Sequence, residues 1–153
     1  MCPDCGAPFE TLAACDAAFH ELGARAAADP AFGYRRRALV DAYCLQHPAY
    51  IDSLKSFAAH LCGLCAALEY HHDPRASRAI WSTLRIPPDA AKPAIPANRG
   101  SLTVAVVYHA ADAQAFEAAT DAWIANVWAA WRDHHALARR WLEYSIAMQR
   151  NGR

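Results

Sequence analysis

The chain opens Met1-Cys2-Pro3-Asp4-Cys5-Gly6, and a third thiol follows at Cys15. Two cysteines in a C-P-x-C-G turn can aim both sulfurs at one cation, because Gly6 is free to take the positive φ that such a turn demands. A closed structural zinc site takes four ligands. Cys2, Cys5 and Cys15 supply three, and the fourth could be His20, His47 or Cys44. His47 stands before Pro48 at a helix end, where a ring can project toward a neighbouring loop. Cys44 could face the same side. His20 follows Cys15 by about one and a half helical turns and need not share its face. A zinc ion on Cys2, Cys5, Cys15 and His47, tying the N-terminal turn to the second helix, is the leading expectation. A thioredoxin-like dithiol is disfavoured, because no strand of a βαβ unit precedes the motif.

A second set of chemistry-bearing residues lies on expected helices. Metal sites in helical bundles are built from carboxylates and imidazoles that project inward from facing helices. Asp41, His60 and His134 (or His135), together with His47, could form one. The structural alternatives are equally concrete. His60 sits on an apolar stripe with Phe57, Leu61 and Leu64, where a satisfied core histidine is common. Asp41 could pair with one of Arg35, Arg36 or Arg37. Cys62 and Cys65 form a further C-x-x-C, with Glu69 and the pair His71-His72 downstream, but positions i and i+3 share a helix face. Both cysteines fit the stripe as buried, inert thiols. Trp123, Trp128, Trp131 and Trp141 suggest core packing, a dimer face or an aromatic pocket.

The elements that carry these residues read as helices almost throughout, since alanine and leucine dominate and β-branched residues are few. Helices are expected from Thr11 to Ala28, ended by Asp29-Pro30 and Gly33, and from Tyr34 to Gln46, ended by Pro48. A third carries Ile51, Leu54, Phe57, Ala58, Leu61, Cys62, Cys65 and Leu68 and stops near Tyr70. Asp73-Pro74 caps a short fourth, Arg75 to Leu84. Residues 86–100, with Pro87, Pro88, Pro93, Pro96 and Gly100, form a surface loop. Ser101 to Tyr108 follows, where Val104, Val106 and Val107 favour a strand but a lone strand would have no partner, so a short helix capped by Ser101 is expected. Asp112 to Gln149 is one long helix or two with a kink, marked by a stripe of Phe116, Ala119, Trp123, Val127, Trp131, His134, Ala138, Trp141 and Ser145. The expected fold class is all-α: a single domain over 1–153, an antiparallel helical bundle with a metal-binding turn in residues 1–15 and a long C-terminal helix.

Composition narrows function. With 153 residues and 55% hydrophobic content, a chain of this size buries roughly 70% of its unfolded surface and needs no disulfide staple. Fifteen basic side chains balance fifteen acidic ones, which argues against a nucleic-acid binder or a polybasic membrane anchor. No signal peptide or membrane span is visible, so a cytoplasmic setting with reduced thiols is expected. Arginine far outnumbers lysine, present only as Lys55 and Lys92, as a GC-rich bacterial genome would give. No phosphate loop, nucleophile elbow or H-E-x-x-H pattern supports a kinase, hydrolase or zincin.

The strings Cys2-x-x-Cys5-Gly6, Asp41-Ala42-Tyr43-Cys44-Leu45-Gln46-His47-Pro48, His60 to Glu69 and Trp128 to His135 with Trp141 resemble, across nearly the whole chain, a family of small uncharacterised bacterial proteins, a domain of unknown function. Its pattern opens with C-x-x-C-G and carries D-A-Y-x-x-Q-H-P. The resemblance implies a shared fold and no activity. Three functional readings follow: a helical protein with a structural zinc; a metal-dependent enzyme with a His/Asp site inside the bundle; and a homodimeric interaction module that uses the tryptophan-rich helix. The small-molecule ligand of such a site is not specified by the sequence.

Overall fold

The computed structural model describes residues 1–32, 35–70 and 73–151. Among these, seven α-helices and no strand occur: α1 Leu12–Ala28, α2 Arg35–Gln46, α3 Leu54–Glu69, α4 Pro74–Thr83, α5 Val104–Tyr108, α6 Ala113–Ala130 and α7 His135–Asn151. The fold is the all-α bundle that the composition predicts. The expected roles of Gly33 as a terminator and Tyr34 as a helix start lie outside the described residues.

Side-chain oxygens set most helix starts. Thr11 accepts from the Ala14 amide, Ser53 from Ser56 and Asp112 from Ala115, each satisfying a backbone donor that the first turn leaves open. Asp73 takes the Arg75 amide ahead of Pro74, so the expected cap-plus-proline start is in place. The cap of α5 is Thr103, not Ser101. Ser101 is engaged elsewhere: its amide donates to Asn126 Oδ1 at 2.8 Å and its hydroxyl accepts from Asn126 Nδ2.

The C-terminal region is the two-helix alternative. Trp131 leaves helical geometry at φ −93°, ψ 15°, a single 3-10 turn spans Arg132–His134, and α7 then runs to Asn151. Phe116, Trp123, Val127, Trp131, Ala138, Trp141 and Ser145 of the predicted stripe are all buried. Arg132, Asp133, Arg139, Arg140 and Glu143 face solvent.

Helix α2 is the axis of the molecule. It packs against α1, α3 and α6, while α3 packs against α7. Every residue from Asp41 to His47 is buried, so both candidate sites hang from one enclosed helix. One close approach is fixed by glycine: a Cβ on Gly63 would stand 2.0 Å from Asp41 Oδ2, so only glycine lets α3 pass over that carboxylate. No helix among the described residues is long and apolar enough to cross a membrane.

Candidate metal centre

The N-terminal turn is closed by two backbone bonds, Cys2 N to Ala7 O at 2.8 Å and Gly6 N to Cys2 O at 3.0 Å. Gly6 adopts φ +75°, as the turn chemistry requires. Cys15 sits in the first turn of α1, fully buried. His47 is the residue at which α2 stops. Pro48 holds it out of the helical region, at φ −118°, ψ 99°. Its ring then folds back, and Nδ1 lies 2.7 Å from the Tyr43 carbonyl, one of the acceptors that the helix end leaves without a partner.

That bond fixes the tautomer. A carbonyl can only accept, so Nδ1 carries the proton and Nε2 keeps its lone pair. The Tyr43 ring stacks on His47 at 3.9 Å and on Phe19 at 3.9 Å. Its hydroxyl donates to Asp16, which also accepts from Tyr50. The imidazole is therefore held by a bond on one edge and a ring on one face, and Nε2 points at sulfur. Nε2 lies 3.7 Å from Cys2 Sγ and 3.6 Å from Cys15 Sγ, and Cys5 Sγ is 3.8 Å from Cys15 Sγ. All four donor atoms fall within 4.8 Å of one another, and among the described residues no other set of three or more His, Cys, Asp or Glu side chains converges in this way.

Two of the cluster's thiols are reluctant acids. Burial pushes the Cys5 thiol up to about 11 and lifts Cys15 further still. Burial also lowers the His47 pKa, against the Tyr43 carbonyl bond that raises it. The chemistry available is coordination. Cys2, Cys5, Cys15 and His47 lie close together and could bind a metal ion, which would replace the thiol protons.

The other candidate ligands are elsewhere. His20 is exposed on α1. Cys44 is buried but outside the cluster, with its thiol pushed up to about 12 by burial. Asp41 and His60 do meet: His60 Nδ1 lies 2.8 Å from Asp41 Oδ1, and Arg37 Nε reaches both carboxylate oxygens at 2.8 and 3.0 Å. His134 does not join them. It lies in the 3-10 turn, and its Nε2 donates to the Ala94 carbonyl at 3.0 Å. His135 stacks on Trp128 and donates to the Trp128 carbonyl. Cys62 and Cys65 are fully buried, with their thiols raised by burial, in keeping with inert packing. The suggested activators His71 and His72 lie outside the described residues. All four tryptophans between 123 and 141 are buried, so none of them offers an open aromatic face.

Arg99 is the residue that motif reading missed. It lies in the proline-rich loop, where one arginine among prolines carries no periodic signal. Its Nε donates to the Gln46 carbonyl at 3.0 Å, and an Nη donates to the Asp4 carbonyl. It thus joins the cysteine turn to the end of α2. The string Gln46-His47 was visible in the sequence; the partner of Gln46 was not.

The model of a family described as a family of unknown function (DUF5946) matches residues 1–132. No curated protein and no solved structure matches the chain.

Proposed function

The chain belongs to that family, whose description assigns no activity, and we propose that it is a helical protein built around one structural zinc ion held by Cys2, Cys5, Cys15 and His47. One observation carries the reading: four buried or half-buried donors, drawn from three separate segments, converge within 4.8 Å of one another. On a tetrahedral zinc with Zn–S of about 2.3 Å and Zn–N of about 2.0 Å, sulfurs stand ~3.8 Å apart and sulfur and nitrogen ~3.6 Å apart. The spacings of 3.8, 3.7 and 3.6 Å at the cluster agree with those edges. Three thiolates and an imidazole suit zinc better than calcium or magnesium, which take oxygen ligands.

Four protein ligands close the coordination sphere, so the ion would serve the fold and not activate water. It would fasten the turn of residues 2–6 and the start of α1 to the end of α2, joining parts of the chain whose donors are up to 45 residues apart. Elemental analysis of anaerobically purified protein tests this. Zinc near one equivalent per chain, lost in the Cys15→Ser variant, supports it. Negligible metal with all six thiols freely titratable overturns it.

A further inference from the structure

We propose that Arg99 is the positioning residue and the counter-charge of the metal cluster. The inference rests on the metal reading above and adds to it a residue that donates no ligand atom.

The geometry is specific. One guanidinium spans two carbonyls, that of Asp4 inside the cysteine turn and that of Gln46 immediately before His47. Those two peptides belong to the segments that present Cys5 and His47. Two donors in a planar fork can hold two acceptors at a fixed separation, which a single ammonium does poorly. Arg99 therefore sets the distance between the thiol turn and the imidazole before any ion arrives.

The loop that carries Arg99 is itself held rigidly. Gly100 takes φ +111°, and a Cβ there would stand 2.8 Å from Asn126 Oδ1 and 3.2 Å from Gln46 Nε2. Asn126 Oδ1 accepts from both the Ser101 and Leu102 amides at 2.8 Å. Gln46 Nε2 donates to the Arg99 carbonyl at 3.2 Å and the Leu102 carbonyl at 2.8 Å, while its Oε1 accepts from Trp123 Nε1 at 2.9 Å. The loop's backbone is thus tied to α2 and α6, and the arginine is presented from a fixed base.

Charge points the same way. A divalent ion on three thiolates and a neutral imidazole carries one net negative charge. The guanidinium of Arg99, donating to the carbonyls of Asp4 and Gln46, stands next to the backbone of Cys5 and His47 and brings a positive charge to the cluster's edge. Arg99 is half-buried, where its charge is less screened than that of a freely solvated side chain. It offsets the excess anion that loading creates, and so slows release of the ion.

The test compares zinc release to a chromogenic chelator from zinc-loaded wild type, Arg99→Gln and Arg99→Lys, with melting temperatures of the loaded and stripped forms. Residues that support metal ligands typically cost 10–100-fold in metal affinity when changed. Arg99→Gln is expected to release zinc about 10–100-fold faster and to lower the melting temperature of the loaded form more than that of the stripped form. Arg99→Lys keeps the charge but not the fork, and is expected to fall between the two. A purely structural role would shift both melting temperatures equally and leave release unchanged; that result overturns the inference. Should Arg99→Gln fail to fold, Arg99→Lys decides alone, and release at the wild-type rate overturns it. Wild-type protein that takes up no zinc would remove the metal reading itself, an outcome distinct from wild type that loads and variants that match it.

Discussion

Two polar clusters hang from helix α2, and they differ in how their donors are used. Midway along it, the Asp41 carboxylate accepts from Arg37 Nε on both oxygens and from His60 Nδ1 on one. At its end, Cys2, Cys5, Cys15 and His47 turn their sulfur and nitrogen atoms toward one another. The first cluster is an ion network in which donor meets acceptor, and it requires nothing further. The second gathers three sulfurs, poor hydrogen-bond partners for one another, around one imidazole lone pair. Burying polar groups is tolerated when they are paired. The Asp41 cluster meets that rule internally, and the cysteine cluster meets it best with a cation at its centre.

The contrast breaks most visibly if the metal is removed. Structural zinc contributes about 10–16 kcal/mol of binding free energy in small zinc peptides, and even part of that dominates a fold of this size. Cys15→Ser is expected to abolish metal retention and to cost about 5 kcal/mol or more. At roughly 2–4 °C per kcal/mol, the melting temperature should fall by about 10 °C or more, as calorimetry would show. An unchanged melting temperature would make the two clusters equivalent.

Acidity separates them next. Cys5 is raised to about 11 by burial and Cys15 higher, so below that range both thiols are protonated in the metal-free protein and each must lose a proton on binding. Apparent metal affinity should therefore fall as pH falls, by at least about 100-fold per unit from these two thiols alone. Competition titrations with a chelator at a series of pH values would measure the slope. A flat profile would mean that the thiols are not ligands.

The Asp41 network should respond in stability without touching the metal. Asp41→Asn leaves Arg37 and His60 without their anion. Breaking a fully buried pair costs about 3–5 kcal/mol. Here about 2–3 kcal/mol is expected, because the Arg37 side chain is 26% exposed and water screens part of the loss. Denaturant unfolding should show that change while zinc content stays at wild-type level. Loss of zinc in this variant would merge the clusters into one site. The smallest expected effect is Tyr43→Phe, which keeps the stack on His47 and removes one hydroxyl bond to Asp16. About 1 kcal/mol or less, with zinc retained, would limit Asp16 to fine positioning.

The cluster of Cys2, Cys5, Cys15 and His47 was legible in the sequence because its signals are local. A C-x-x-C-G turn with a third cysteine close behind and a histidine before proline state their own geometry. The helices were legible for the same reason, down to the cap at Asp73, although the cap of α5 is Thr103 and not the expected Ser101. What stayed hidden depends on contacts distant in sequence. Gly63 reads as a weak point inside a helix until Asp41 is seen beneath it. Arg99 has no motif, and its meaning comes from Asp4 and Gln46. His134 was grouped with Asp41, His47 and His60 because bundle metal sites draw carboxylates and imidazoles from facing helices. His134 lies instead in the 3-10 turn after Trp131, and its ring goes to the Ala94 carbonyl. Local chemistry fixes elements and turns; the partner of a lone side chain is decided by which elements meet.

Titration of the metal-stripped full chain with Co2+ under reducing conditions asks directly whether four donors surround one ion. Three thiolates and one imidazole should give intense visible bands of tetrahedral cobalt and a thiolate-to-cobalt charge-transfer band in the ultraviolet, saturating at one ion per chain and reversed by zinc. Weak, octahedral-type absorption with no charge-transfer band, at any ratio of metal to protein, would contradict a metal centre at Cys2, Cys5, Cys15 and His47.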